Sequence, residues 1–190
     1  MSIPKYVSLR WKKTVQLADV QDGDSVLDLG CGKEQYLKTL LPENISYVGF
    51  DIELGQDLEK GLPGGLDGVL FDVIFLNEFI EHIENFRSLL IECRDHLKPD
   101  GRIIISTPCN FRILSGDVWT TVGEDLTHIH CFRKTNMRNL ARICGMVVDR
   151  IVGTCVRFPP LLYWWTFDSD QTLYSEVLIY RLIRSDGLGV

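Results

Sequence analysis

Seven residues, Val26-Leu27-Asp28-Leu29-Gly30-Cys31-Gly32, carry the strongest chemical signal in the chain. An apolar run delivers the backbone to a turn where two glycines accept unusual φ and let the main chain approach a ligand closely. If a helix follows such a turn, its first N–H groups suit a carboxylate or a phosphate. Nineteen residues after Gly32 comes Asp51, closing Tyr47-Val48-Gly49-Phe50-Asp51. An acid at the tip of a second strand is where an adenosine ligand finds a partner for its two ribose hydroxyls. Either feature alone has a plain alternative, a tight turn without a ligand or an acid in a turn. Together, at this separation, they point to a nucleoside-bearing ligand.

His128, His130 and Cys131, with Cys109 upstream, invite comparison with a zinc centre. They lack the paired short spacings that structural zinc favours, so no metal is expected. The remaining cysteines are scattered without a Cys-x-x-Cys pair. A formal net charge of -6 argues against broad binding to a nucleic-acid backbone, which needs clustered cations. Arg10, Lys12 and Lys13 lie close together and read as a solvated helix face. The N-terminus lacks a secretory pattern and no apolar run is long enough to span a bilayer, so the expected location is cytoplasmic, with reduced thiols.

The elements that must position these residues alternate strand with helix. Strand runs are read at 25–29, 47–51, 71–76 and 102–107, apolar enough to be buried on both faces. A short helix from Gln35 to Leu41 follows the glycine turn, and a second carries Phe86, Leu89, Leu90, Cys93 and Leu97 at helical spacing. Lys98-Pro99-Asp100-Gly101 then reads as a turn. A third helix is expected from Thr135 as N-cap to Cys144, with Gly145 as its stop. Met146 to Val156 and Ser175 to Arg184 read as strands enclosing an aromatic segment, Phe158 to Phe167. The fold class is α/β: a doubly wound, Rossmann-like, mostly parallel sheet with helices on both faces and an antiparallel C-terminal strand. One domain is expected over 1–190, with an N-terminal helical segment (1–24), a cofactor-binding core (25–150) and a C-terminal part (151–190).

In order along the chain, Val26–Gly32, Tyr47–Asp51, Phe71–Ile83 and Leu97–Thr107 resemble the successive motifs of class I S-adenosylmethionine-dependent methyltransferases. His128-Ile129-His130-Cys131-Phe132 is similar to the segment before that family's last helix. The likeness covers about residues 25–150 and is nearest to small-molecule methyltransferases. It implies S-adenosylmethionine as cofactor. Gly30, Cys31 and Gly32 would pass its methionine part, Asp28 would support the turn or meet the amino group, and Asp51 with Ile52 would hold the ribose. Asp57 and Leu58 would lie by the adenine, and Asn77 beside the sulfonium.

Two departures stand out. Lys33-Glu34 occupies the place of a further glycine, with Glu34 expected to face solvent. Only a short stretch joins Asp51 to Phe71, read as loss of a helix with Gly55–Leu58 a remnant third strand. A base is needed only if the acceptor must lose a proton; His82, His128 and His130 are candidates, with His128 preferred. The acceptor is expected to be a small molecule bound by the N-terminus, 108–125 and 158–172. The segment with Trp164 and Trp165 either covers that pocket, makes a homodimer contact or packs on its own sheet. A non-catalytic binding protein of the same fold is the alternative, and an NAD-dependent oxidoreductase a weaker one, since Gln35 stands where its fingerprint needs glycine.

Overall fold

Along the first strand, Leu27 and Leu29 turn to one face of a sheet while Val26 turns to the other, and all three are fully buried. Ile74 and Leu76 repeat the first choice, Val73 and Phe75 the second. A strand whose alternate residues are all apolar needs cover on both sides, and that dictates the architecture. The computed structural model describes residues 5–108, 127–156 and 175–185. The elements are α1 (Lys5–Ala18), β1 (Ser25–Leu29), β2 (Ser46–Phe50), β3 (Phe71–Asn77), α2 (Phe86–Asp95), β4 (Leu97–Pro108), α3 (Lys134–Ile143), β5 (Met146–Val156) and β6 (Ser175–Arg184).

The strands form one sheet in the order β2-β1-β3-β4-β6-β5. β2, β1, β3 and β4 run parallel, β6 is antiparallel to both its neighbours, and the expected doubly wound sheet with one reversed strand is the observed one. Leu89, Leu90 and Cys93 of α2 and Met137, Leu140 and Ala141 of α3 pack on one face. Leu17 and Ala18 of α1, with Leu37, pack on the other. Ligand-bearing loops belong at the C-terminal ends of the parallel strands, where Gly30, Asp51 and Asn77 stand.

Four local expectations are corrected. The chain after the glycine turn forms a short 3-10 turn, Tyr36–Leu40, and not an α-helix. Its entry residue Gln35 sits at φ 45°, a left-handed conformation that opposes α-helical propagation from the turn. Gly55–Leu58 is no strand: Ile52–Leu54 and Leu58–Lys60 are 3-10 turns, each begun by an aspartate (Asp51, Asp57) whose side chain accepts an N–H two residues on. Lys98–Gly101 lies within β4, at an irregularity in its register with β3. Thr135 lies inside the first turn of α3, whose N-cap is Arg133 without a side-chain bond. Gly145, at φ 71°, does terminate that helix.

Candidate functional site

The glycine turn is tied to the second strand before any ligand is considered. The Gly30 and Cys31 N–H groups both donate to the Phe50 carbonyl, at 2.9 and 3.3 Å. The Gly32 N–H donates to Asp51 Oδ2 at 2.8 Å, while Asp51 Oδ1 accepts the Glu53 N–H at 2.8 Å. A carboxylate has about four acceptor positions, so two bonds hold Asp51 in place and leave capacity for hydroxyl donors. Gly30 and Gly32 sit at φ 76° and 64°. They differ in surroundings: a Cβ on Gly30 would lie 2.5 Å from the Phe79 ring, whereas one on Gly32 would meet open space.

Beneath the turn Asp28 is fully buried. Tyr47 donates its hydroxyl to Asp28 Oδ2 at 2.7 Å, and Oδ1 has no partner. Burial, only partly offset by that hydrogen bond and reinforced by the charge of Asp51, pushes the Asp28 carboxyl up to about 7. Burial likewise raises the Cys31 thiol to about 11, so it stays protonated and unreactive. Asn77, at the tip of β3, is buried with neither amide atom hydrogen bonded. Unpartnered polar atoms of this kind are costly in a native fold and mark places where a ligand completes the bonding. An amino group and a sulfonium are cationic, and the oxygens of Asp28 and Asn77 are the acceptors such groups require, so the residues fit the cofactor.

The other expected contacts are placed as follows. Ile52, next to Asp51, is 74% exposed, a bare apolar surface. Asp57 caps its own turn and pairs with Lys60 at 3.0 Å, while Leu58 is buried in the core. Glu34 is exposed, as expected. Cys109, the stretch 109–125 and the aromatic segment with Trp164 and Trp165 lie outside the described residues.

A second group gathers just beyond the end of β3; the sequence motifs single out its histidines, His82 and His128, but not its acids, Glu78 and Glu81. Glu78 follows Asn77 at φ 49°, a conformation uncommon outside glycine. Its Oε2 accepts from Arg10 of α1 at 3.0 Å and its Oε1 from the Ser106 hydroxyl at 2.9 Å. Arg10 therefore does not belong to a solvated helix face, and Lys13 donates to the Gly153 carbonyl; Lys12 alone of the three is exposed. Glu81 is 1% exposed, and neither carboxylate oxygen makes a well-formed hydrogen bond, the Thr107 hydroxyl being close enough to interact. Burial and the nearby Glu78 charge push it up to about 8. His82 and His128 meet edge to face with centroids 4.7 Å apart. His130 turns away to Phe86, at 4.7 Å, so it is His128 that shares a cluster with Glu81 and His82. The available signal was two acids and a histidine, Glu78-x-x-Glu81-His82, inside a stretch otherwise apolar enough for the core.

A family model described as "Methyltransferase domain" matches residues 5–150. The mitochondrial ubiquinone biosynthesis O-methyltransferase of Schizosaccharomyces pombe is 26% identical over 174 residues, 77% of this chain and 62% of that protein. The (S)-coclaurine N-methyltransferase of Papaver somniferum is 26% identical over 125 residues, 50% of this chain and 33% of that protein. The chain thus spans less than two thirds of the length of either curated relative. Among solved structures, a SAM-dependent methyltransferase from Archaeoglobus fulgidus superposes with a TM-score of 0.63 at 15% identity, over 93% of this chain and 92% of that one.

Proposed function

The chain belongs to the methyltransferase-domain family, as a class I S-adenosylmethionine-dependent member, and from that premise we propose that it transfers a methyl group to a small-molecule acceptor. Bound S-adenosylmethionine supplies an electrophilic methyl on a sulfonium, which an acceptor atom attacks in line. The observation that carries the reading is the cross-link between the glycine turn and Asp51, flanked by the unpartnered oxygens of Asp28 and Asn77. Asp51 holds the ribose, with Ile52 beside it. The Gly30–Gly32 backbone, Cys31 included, follows the methionine part, and Asp28 takes its amino group. Asn77 stands by the sulfonium. Asp57 offers an acceptor to the adenine amine, with Leu58 supporting it through its backbone.

The protein's part in the reaction is to hold acceptor and methyl in line and keep water out. Where the acceptor must lose a proton, we assign that task to His128, which stands with His82 and the Glu78 and Glu81 carboxyls around it. The curated relatives are named for O- and N-methylation of small metabolites, which supports a small acceptor here. Among the described residues no helix is long and apolar enough to cross a membrane.

Titration calorimetry with S-adenosylmethionine and its demethylated product tests the cofactor half. Wild type should bind both, and Asp51→Ala should weaken binding by about 1.5–3 kcal/mol, the scale of charge-assisted hydrogen bonds. No binding by wild type overturns the reading. Binding without label transfer to any component of a metabolite extract favours a non-catalytic binding protein instead.

A further inference from the structure

Residues 57–62 make one turn, and that turn is fastened to the α2 region at two points. Leu58 is buried in the core and Leu62 packs against it, so two apolar side chains pin the turn from within. Two carboxylates fasten it from the side. Glu59, on the turn, accepts the Glu84 N–H with both oxygens, at 3.1 and 3.2 Å, just ahead of α2. Glu92, near the other end of α2, accepts the Leu62 N–H at 2.9 Å. We propose that Glu59 and Glu92 are positioning residues for the cofactor. By clasping the turn against α2 they set the place of Asp57, and with it the preference of the site for an adenine base over one without the exocyclic amine. The inference rests on the function proposed above, in which Asp57 meets that amine.

The fit around Gly61 gives the first argument. This residue takes φ 98° and ψ -171°, a conformation open in practice to glycine alone. A Cβ there would stand 2.9 and 3.0 Å from the two Glu92 oxygens. The carboxylate therefore lies directly on the glycine backbone, and the missing side chain is what lets it reach the Leu62 N–H. The turn is shaped to receive this acid.

The second argument is where that acid sits. Glu92 falls in the last turn of α2, Phe86–Asp95, where the helix dipole disfavours a negative charge. A neutral or basic residue would serve the helix better. The bond to the Leu62 N–H is charge-assisted, stronger than a neutral one, and offsets that penalty. Asp95, the other acid of the same turn, pairs with Arg94 at 2.6 Å and takes no part in the clasp.

The third argument is the short path from the clasp to Asp57. Asp57 Oδ1 accepts the Glu59 N–H at 3.2 Å, and its Oδ2 pairs with Lys60 at 3.0 Å. The Gly61 N–H closes the turn on the Leu58 carbonyl at 3.2 Å. Residues 57–61 are thus one hydrogen-bonded unit, and a shift at Leu62 or Glu59 is passed to Asp57. A hydrogen bond weakens steeply once its distance or angle departs from the ideal, so a small displacement is enough to lose the amine contact. Asp51 is fixed separately, by the Gly32 and Glu53 N–H groups, and does not follow.

Calorimetry on the full chain reads the preference directly, with S-adenosylhomocysteine and its deaminated form, S-inosylhomocysteine, as the two probes. Wild type should bind the adenine form about tenfold tighter, the scale of one hydrogen bond to a charged acceptor. Glu92→Ala should weaken the adenine form about tenfold and the inosine form little, so that the preference is lost. Glu92→Gln keeps a carbonyl oxygen for the Leu62 N–H and should retain most of it. Glu59→Ala, at an exposed position, should lower the preference in the same sense. It keeps the test sound if circular-dichroism melts show that Glu92→Ala unfolds. Asp51→Ala should weaken both forms alike, because the ribose is common to them. The inference is overturned if the two alanine variants keep the wild-type preference, if they weaken both forms equally, or if Glu92→Gln loses as much as Glu92→Ala. Wild type binding both forms without preference sinks this inference alone, whereas no binding of either form sinks the methyl-transfer reading with it.

Discussion

Asp28 is fully buried with one oxygen bonded to Tyr47 and one to nothing, and that burial makes it a reporter of pH. In the unfolded chain the acid titrates near 3.8, and in the fold burial moves it to about 7. Between those values the folded form holds the extra proton. Its contribution to stability is complete below about 4 and is withdrawn as pH rises through about 7. Each unit of displacement is worth about 1.4 kcal/mol, so urea unfolding of wild type should lose about 2 kcal/mol or more between pH 5 and pH 8 beyond any loss seen in Asp28→Asn. Equal slopes for the two proteins would show that Asp28 titrates as an ordinary exposed acid. At this scale the sequence was partly readable. Gly30, Gly32 and Asp51 declare themselves because their chemistry is local to a turn and a strand tip. Glu81 does not, because its meaning depends on what His128 brings to it from far along the chain. Arg10 was misread for the same reason: its partner, Glu78, is 68 residues away.

The elements show where local patterns stop being sufficient. The strands, α2 and the end of α3 follow from apolar periodicity and one terminating glycine. The chain after the glycine turn does not, because Gln35 adopts a left-handed conformation that no propensity announces. Nor do the residues after Asp51, where two aspartates divert the backbone into 3-10 turns. The turn itself carries a prediction. Gly30 is covered by Phe79, so Gly30→Ala faces both a positive φ and a ring 2.5 Å from the new methyl, while Gly32→Ala faces only the φ. Gly32→Ala should cost about 1 kcal/mol, and Gly30→Ala should cost more, by an amount reduced when Phe79→Ala is added. A double-mutant cycle read by thermal or urea unfolding measures this. Strict additivity would mean that the ring steps aside freely.

In the whole molecule two layers of helix close a sheet whose centre, β1, β3 and β4, carries buried apolar side chains on both faces. That much the alternation of strand and helix dictates. The wall beside Asp51 is built differently. From Asp51 to Leu70 the described chain contains 3-10 turns of three residues each and no α-helix, with Ile52 bare on its outer side. A helix detaches from a sheet as a cooperative unit, whereas short turns yield piecemeal, with little buried surface to expose. If Asp51 holds the ribose as proposed, the adenosine end of the cofactor would be gripped by a carboxylate fixed in advance and screened by a barrier that opens in small steps. On the function proposed above, spent cofactor is expected to depart soon after it forms, so that methyl transfer, not release, would set the pace of turnover. With a competent acceptor, rapid-quench progress curves should rise from the origin without a burst; a burst of one equivalent would mean that this thin wall holds its product after all.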